Sequence, residues 1–191
     1  MQANSLQKVI ISLQHINTPL GVMIAGATNK GLCLLEYHDR ATLPKELSDL
    51  QTLLNAEVVE KSNIYIDQAK KELHEYFAGV RKKFDVPLST PGTEFQIRVW
   101  NKLKEIPFGE TISYLEQAAA MGSIQSIRAI AHANGCNRIS IIIPCHRVIG
   151  KNGNLTGYGG GIERKRFLIL HENHYSMHYQ SDLFSGLLNV P

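Results

Sequence analysis

The chain is poor in cysteine, has no long apolar run and carries no marked excess of charge of either sign. Its three cysteines, Cys33, Cys136 and Cys145, form no close pair, which argues against a disulfide framework and favours a reducing compartment. No apolar stretch approaches the roughly 18 residues of a membrane helix, and the first residues lack the basic and apolar segments of a signal peptide. We therefore expect a cytoplasmic protein without a membrane partner.

Composition and length bound the class of protein. Hydrophobic residues make up 43% and charged residues 19% of the 191 positions, which is typical of a globular protein rather than a disordered one. The chain is long enough for one large domain or two small ones. The formal net charge of +3 permits a polyanionic partner without requiring one.

Residues 1–86 predict a small α/β domain with an antiparallel sheet. Short apolar runs between turn-forming residues predict three strands of a meander, at 9–13, 22–25 and 32–35. Helical spacing of apolar residues predicts two helices, over 43–54 and 66–77. No catalytic constellation occurs in this half. Because Cys33 is its only cysteine, we expect no metal site there.

Residues 92–172 predict a mainly helical domain, which follows a boundary rich in proline at 87–92. Two capping boxes predict helix starts, at Thr93 with Gln96 and at Ser113 with Glu116. The helix that begins at Ser113 is followed by a glycine turn and by a further helix over 124–134, with Ser123 as its N-cap. Two short helices joined in this way form a helix-turn-helix.

The second helix of this pair has two distinct faces. Ile127 and Ile130 form an inward stripe, whereas Gln125, Arg128 and His132 share the opposite face by the i, i+3, i+4 rule. Both a plain packing hairpin and a nucleic-acid contact fit this pattern.

The segment with the clearest chemical signature is IIIPCHRVIG at 141–150. Its three isoleucines predict a buried strand that ends at Pro144, whose ring fixes φ and removes an N–H donor. Cys145 then lies at the strand end beside His146 and Arg147, where positive neighbours favour the thiolate. We expect a reactive thiol rather than a structural cysteine.

A base and an orienting carboxylate are available for this thiol. His146 can deprotonate Cys145 while Glu172 orients the imidazole, by the logic of catalytic triads. Because neighbouring side chains of an extended segment point to opposite sides, we expect a water between thiol and imidazole. A glycine-rich loop at 157–161 can bring backbone N–H groups against a ligand, and a tail at 173–191 follows.

Most of this half resembles a known protein family. The matching segments include IPFGET at 106–111, PCHRVIG at 144–150 and LTGYGGG at 155–161. The others are 92–96, 99–100, 113–114, 128–129, 133–135, 137, 163–165 and 171–172. Together they resemble the O6-alkylguanine-DNA alkyltransferases, the suicide repair proteins also called methylated-DNA–protein-cysteine methyltransferases. Residues 1–86 resemble that family's N-terminal domain in layout only.

The resemblance implies a single-turnover reaction. For this chain we expect a monomer that needs no cofactor or metal. Cys145 attacks the alkyl carbon of O6-alkylguanine in double-stranded DNA, once the base is flipped out of the duplex, and keeps the alkyl group. His146 takes the thiol proton through water and Glu172 holds the imidazole. Asn137 braces the turn around the active strand. Tyr114 helps to rotate the nucleotide and donates a proton to the departing guanine.

The resemblance also implies how the duplex is held. The second helix enters the minor groove, where Arg128 fills the gap left by the flipped base. The further DNA-binding residues are Tyr114, Ser123, Gln125 and Ala129.

Backbone groups are implied to read the flipped base, through the carbonyls of Cys145 and Val148 and the N–H of Gly159. The other substrate-binding residues are Tyr158, which walls the pocket, Gly160 and Asn134. Gly159 stands where a serine or alanine is expected, which predicts a roomier pocket.

Three other functions stay open. A non-catalytic helix-turn-helix sensor or regulator of DNA damage would need the helix pair but not Cys145. A cysteine hydrolase would use Cys145 and His146 repeatedly and would not need the helix pair. A zinc site could draw on His132, Cys136, Cys145 and His146, although adjacent Cys145 and His146 make a poor ligand pair.

Overall fold

A computed structural model describes residues 8–185, with side chains to residue 176. The first half forms a four-stranded sheet of strands β1 (Val9–Thr18), β2 (Gly21–Thr28), β3 (Gly31–Tyr37) and β4 (Ala56–Glu60) in the order β3-β2-β1-β4. The predicted meander is confirmed, because β1, β2 and β3 pair antiparallel. The sheet is mixed, however, since β4 pairs parallel to β1. The predicted antiparallel sheet is thus present in three strands and gains a fourth that runs parallel to β1.

Two helices cover the two faces of this sheet. Helix α1 (Leu43–Leu54) packs with Ile11, Cys33 and Leu34 in a small apolar cluster. Helix α2 (Ile64–Phe77) lies on the opposite face, where the alternate residues of the strands belong to the main core. This division follows from the period of two along a strand, which sends successive side chains to opposite faces.

The second half is mainly helical, as predicted. Its helices are α3 (Glu94–Lys104), α4 (Tyr114–Ala120), α5 (Ile127–Gly135) and α6 (Ile162–Ser185), with short strands β5 (Ile112–Ser113) and β6 (Val148–Ile149) pairing parallel. Both capping boxes are confirmed. The side chains of Thr93 and Ser113 each accept a hydrogen bond from the backbone N–H at N3, and the side chains of Gln96 and Glu116 accept one from the backbone N–H of the N-cap residue.

The helix-turn-helix is formed by α4 and α5, and its turn differs in detail from the prediction. A 3-10 turn, Ile124–Ser126, precedes α5, so the regular helix begins later than expected. Ser123 makes no side-chain bond to a helix N–H, because its hydroxyl pairs instead with that of Ser126 at 2.7 Å. The predicted N-cap role of Ser123 was therefore wrong.

The two halves share one core and one sheet edge. The main apolar core includes Leu73 of α2 in the first half and Trp100 of α3 in the second. On the side of β3 that faces away from β2, the N–H of Leu35 donates to the carbonyl of Arg138, and the Leu35 carbonyl accepts from the N–H of Ser140, each at 2.8 Å. The segment that leads to Cys145 is thus attached directly to the N-terminal sheet.

The isoleucines at 141–143 do not form the predicted strand. Ile141 has a left-handed φ of +72°, and the N–H groups of Ile142, Ile143 and Cys145 donate to carbonyls two to four residues back. The three side chains are buried, so burial explains their apolar character without a strand. Cys145 accordingly opens a 3-10 turn, Cys145–Arg147, rather than ending a strand.

Helix α6 passes Glu172 without a break and runs to Ser185, so the predicted tail at 173–191 begins inside a helix. Residues 186–191 lie outside the described residues. Within the described part of the chain, no helix combines the length and apolar character needed for a bilayer crossing.

The Thr93 cap provides a test of local folding. Thr93→Ala removes the acceptor for the Gln96 N–H, and we expect a loss of about 1 kcal/mol in unfolding free energy. Urea unfolding followed by circular dichroism measures it. Thr52→Ala is the matched control, since the exposed Thr52 hydroxyl bonds within helix α1 and caps nothing. Equal losses in both variants would contradict the role of the cap.

Candidate active site

Cys145 is held at the start of its turn by an amide. Asn137 donates through Nδ2 to Cys145 Sγ at 3.3 Å, and the residue keeps 9% of its surface exposed. Burial raises the pKa of the Cys145 thiol to about 11, although the Asn137 contact lowers it in part. The resting group is therefore a neutral thiol. The expectation that adjacent positive charge favours the thiolate is not met in this resting state.

Asn137 clamps the segment that precedes the cysteine. Its Nδ2 also donates to the Ile143 carbonyl at 2.9 Å, and its Oδ1 accepts from the Ile139 N–H at 2.9 Å. One buried amide thus satisfies backbone groups that the irregular turn leaves unpaired. This arrangement agrees with a bracing role for Asn137, although around a turn and not a strand.

His146 and Glu172 form a buried pair beside the thiol. The Nε2 atom of His146 lies 2.8 Å from Oε1 of Glu172. Burial lowers the pKa of His146 despite the nearby carboxylate, whereas His146 and Arg147 hold the pKa of Glu172 well below its usual range. At neutral pH a neutral imidazole therefore donates from Nε2 to an ionised carboxylate.

This tautomer leaves Nδ1 of His146 as the basic atom. Among the described residues, no group bonds to this buried nitrogen, while Cys145 Sγ bonds to Asn137. An unshared lone pair in the residue next to the thiol is available to act as a general base.

Three further groups bind Glu172, and the sequence did not reveal them. Arg147 donates from Nε at 2.8 Å and from Nη2 at 3.0 Å, Tyr76 donates its hydroxyl at 2.8 Å, and Gly109 donates its N–H at 3.2 Å. Arg147 had a signal, because a charged residue inside the apolar run 141–150 needs a buried partner. The sequence gives no such signal for Tyr76 or Gly109. Tyr76 lies at a position typical of a core residue in a helix, and Gly109 at a position typical of a turn.

Aromatic and glycine residues surround the thiol on the other side. Tyr158 is buried, with its ring 6.4 Å from that of His146, and Gly160 is buried where a Cβ would strike the Tyr158 ring. Tyr114 is half-buried and donates its hydroxyl at 3.4 Å to the Gly157 carbonyl. Tyr114 and Gly160 thus border the loop that carries Tyr158, and the substrate and DNA roles of these three residues stay predictions.

The Val148 carbonyl already has one donor. Lys165 is fully buried and donates through Nζ to the carbonyls of Val148 and Thr156, each at 2.6 Å. A carbonyl oxygen has two lone pairs, so Val148 keeps one acceptor site for a ligand.

Gly159 does not enlarge the site as expected. A Cβ at this position would lie 2.5 Å from Cζ of Arg40. The Arg40 guanidinium is fixed by ion pairs to Glu36 at 2.7 Å and Glu46 at 2.9 Å and by the Gly135 carbonyl. The prediction of a roomier pocket was wrong, because an arginine from the N-terminal half fills the space.

The helix-turn-helix presents the expected polar face. Gln125, Arg128, Ala129 and His132 are exposed, and Ser123 is half-buried at the turn. Asn134 differs: it is buried, and its amide exchanges two hydrogen bonds with Gln117 of α4 at 2.7 and 3.1 Å. The Asn134 side chain therefore joins the two helices, and the structure does not support its assignment to substrate binding.

The structure does not bring the four suggested zinc ligands together. His132 and Cys136 lie 3.6 Å apart on the exposed helix, while Cys145 and His146 bond to Asn137 and Glu172. Among the described side chains, no group of three or more metal-ligating residues could hold an ion.

Sequence comparison decides the family. The profile of the 6-O-methylguanine DNA methyltransferase ribonuclease-like domain matches residues 12–90, and that of the family's DNA binding domain matches residues 94–174. A Bacillus subtilis protein, the constitutive methylated-DNA–protein-cysteine methyltransferase, is 46% identical over 158 residues, covering 80% of this chain and 89% of its own. The chain belongs to the 6-O-methylguanine DNA methyltransferase family.

Solved structures of 6-O-methylguanine DNA methyltransferases share the fold. Mycobacterium tuberculosis O6-methylguanine methyltransferase matches with a TM-score of 0.74 at 39% identity, over 86% of this chain and 94% of that one. M. tuberculosis OGT in complex with DNA matches with a TM-score of 0.73 at 38% identity, over the same shares. The predicted fold class and family resemblance are both confirmed.

Gly159 gives a test of the contact with Arg40. Gly159→Ala should lower the unfolding free energy by about 1–2 kcal/mol, because an added methyl overpacks a fixed guanidinium. In an Arg40→Ala background the same change should cost much less, and urea unfolding of all four proteins measures the coupling.

Gly135→Ala is the control for this test, since a Cβ there meets nothing within 4 Å. A cost of Gly159→Ala that is the same with and without Arg40 would show that the clash is not the cause.

Proposed function

We propose that this protein is a single-turnover DNA repair protein that moves the alkyl group of O6-alkylguanine in duplex DNA onto its own Cys145. The observation that carries the proposal is the buried pairing of His146 with Glu172, which leaves Nδ1 of the imidazole without a hydrogen-bond partner in the residue that follows Cys145. The named relatives act on methylated DNA, and family membership supports the same activity in this chain.

The proposed chemistry starts from neutral groups. A water carries the thiol proton from Cys145 to Nδ1 of His146, and the ionised Glu172 stabilises the imidazolium that forms. The sulfur then attacks the alkyl carbon in line, forming the S–C bond as the C–O6 bond breaks with its electron pair left on guanine. Tyr114 supplies a proton to the departing guanine. Because a thioether has no good leaving group, each molecule reacts once.

The target base must leave the duplex before it can reach a buried thiol. Flipping costs a few kcal/mol of stacking and pairing, and a side chain inserted in the gap offsets part of this cost. Arg128 has the position, the exposure and the charge for this role. The exposed Gln125 and Ala129, together with Ser123 at the turn, contact the duplex beside it.

Main-chain groups read the flipped base. The Cys145 and Val148 carbonyls accept from the base edge and the Gly159 N–H donates to it, while Tyr158 and Gly160 form the wall. Both carbonyls already accept one bond, from the Val148 N–H and from Lys165. Those bonds fix their directions and leave one lone pair each for the base.

Both halves of the chain serve this reaction. We assign a domain to residues 1–86 and another to 92–172, and expect them to act together as a monomer, since Tyr76 and Arg40 of the first contact the site in the second. The three cysteines are free, in keeping with a cytoplasmic location.

Two of the alternative functions are less well supported. A DNA-damage sensor would not need the Cys145 thiol, the His146 base and the Glu172 carboxylate in one buried cluster. A cysteine hydrolase would regenerate its thiol, and nothing in the exposed face of helix α5 serves that reaction.

Transfer of a labelled alkyl group is the direct test. Duplex DNA with labelled O6-methylguanine should pass one label per molecule to the native protein, and mass spectrometry should place it on Cys145. Cys145→Ala should accept none, because the attacking sulfur is absent. Cys136→Ala is the matched control and should retain full transfer. Repeated turnover would indicate an enzyme of another class, and DNA binding without transfer would indicate a sensor.

Arg128→Ala separates base flipping from chemistry. The rate of transfer from duplex DNA should fall at least tenfold, because no side chain supports the opened stack. The rate with the free O6-alkylguanine base should change little, since no flipping is needed. Gln125→Ala, on the same exposed face, provides the comparison. Equal losses of rate on duplex and free base would remove Arg128 from this role.

A further inference from the structure

Tyr76 is the one side chain of helix α2 that bonds to the Glu172 carboxylate. Its hydroxyl donates to Oε1 at 2.8 Å across 96 positions of sequence. The residue is fully buried, and nothing in the reaction described above requires it. A buried tyrosine usually finds a hydrogen-bond partner, but here that partner is the carboxylate that faces His146.

The Tyr76 hydroxyl competes with the imidazole for one oxygen atom. Oε1 of Glu172 accepts from Tyr76 and His146 at 2.8 Å and from Arg147 at 3.0 Å. Oε2 accepts from Arg147 and from the Gly109 N–H. Every donor on Oε1 takes up part of its negative charge, so that less remains to stabilise an imidazolium. Arg147 and Gly109 hold the carboxylate in place without Tyr76.

The ring of Tyr76 cannot turn away from this bond. It packs edge-on against Phe77 and Phe108 and lies close to the rings of Phe84 and His171. His171 also bonds through Nε2 to the Tyr76 carbonyl at 2.9 Å. Burial raises the pKa of Tyr76 well above its ordinary value, so the phenol stays protonated and remains a donor.

We propose that Tyr76 is a positioning residue through which the N-terminal half limits the charge that Glu172 offers to His146. The proposal rests on the proposed function, because it concerns the same proton relay. When Cys145 gives up its proton, the imidazolium depends on Oε1, and the Tyr76 hydroxyl weakens that support. The N-terminal half thereby sets the fraction of the thiol that is ionised near neutral pH.

The sign of the expected effect follows from this competition. Without the hydroxyl, Oε1 stabilises the imidazolium more strongly, so a larger fraction of the Cys145–His146 pair exists as thiolate and imidazolium at neutral pH. The other titratable or charged groups around His146 are the same in both proteins: Cys145 and Arg147 on its own turn, Lys165 and Glu172 on α6, and Tyr158 on the glycine-rich loop.

The test is the rate of Cys145 alkylation by iodoacetamide across pH, followed by mass spectrometry in a Cys136→Ala background. At neutral pH, Tyr76→Phe should raise this rate about tenfold, the scale of one hydrogen bond to a charged group. The ratio of the two rates should fall towards one as the pH approaches the pKa of about 11 at which the thiol ionises without the base. Tyr65→Phe, the same change on the same helix, should leave the rate unchanged, and in a Glu172→Gln background Tyr76→Phe should have no effect. An unchanged rate at neutral pH, a ratio that does not vary with pH, or an increase that persists without Glu172 would overturn the proposal.

A second replacement covers the case in which Tyr76→Phe fails to fold. Incorporating 3,5-difluorotyrosine at position 76 keeps the ring and the hydroxyl but makes the hydroxyl a stronger donor. The alkylation rate at neutral pH should then fall, opposite to the phenylalanine variant, and an unchanged or raised rate would overturn the proposal. Because iodoacetamide needs no DNA, these results stand apart from the proposed function, which fails separately if the native protein accepts no label from O6-methylguanine duplex.

Discussion

The Glu172 carboxylate is the point on which the site and the union of the two halves depend. An ionised carboxylate that is isolated from water is costly unless it is paired and fully hydrogen-bonded. Glu172 meets this condition with donors from helix α2, the turn at Gly109 and the turn that carries His146 and Arg147. Each of these segments is therefore held to α6 by the same buried charge, and the His146 ring is oriented by a bond that also closes the core.

Burial keeps the reacting groups neutral at rest. The raised pKa of Cys145 and the lowered pKa of His146 share one cause, the removal of water from the charged form. A neutral thiol is a weak nucleophile, so the protein is protected from random electrophiles. Reactivity then depends on a substrate close enough to couple proton transfer to sulfur attack, which is consistent with a protein that spends itself in a single reaction.

The sequence was sufficient to predict those features that depend only on residues close together in the chain. The capping boxes at Thr93 and Ser113, the meander and the exposed face around Arg128 depend on neighbours within a few residues, and all three agree with the structure. The prediction of a strand at 141–143 was wrong, because an apolar run indicates that residues are buried but does not determine their backbone conformation. Tyr76 and Arg40 reach the site through tertiary packing between distant segments, and no spacing within the sequence records such a contact.

The way the halves meet at strand β3 has a consequence for solubility. The outer edge of β3 bonds to Pro87 and Ser89 and, further along, to Arg138 and Ser140, so its N–H and C=O groups have partners from later in the chain. An uncovered edge of a nearly fully apolar strand is a template for pairing with other molecules. During synthesis β3 emerges long before residues 138–140, which leaves this edge open to intermolecular sheet formation and makes prompt arrival of the second half a safeguard against aggregation.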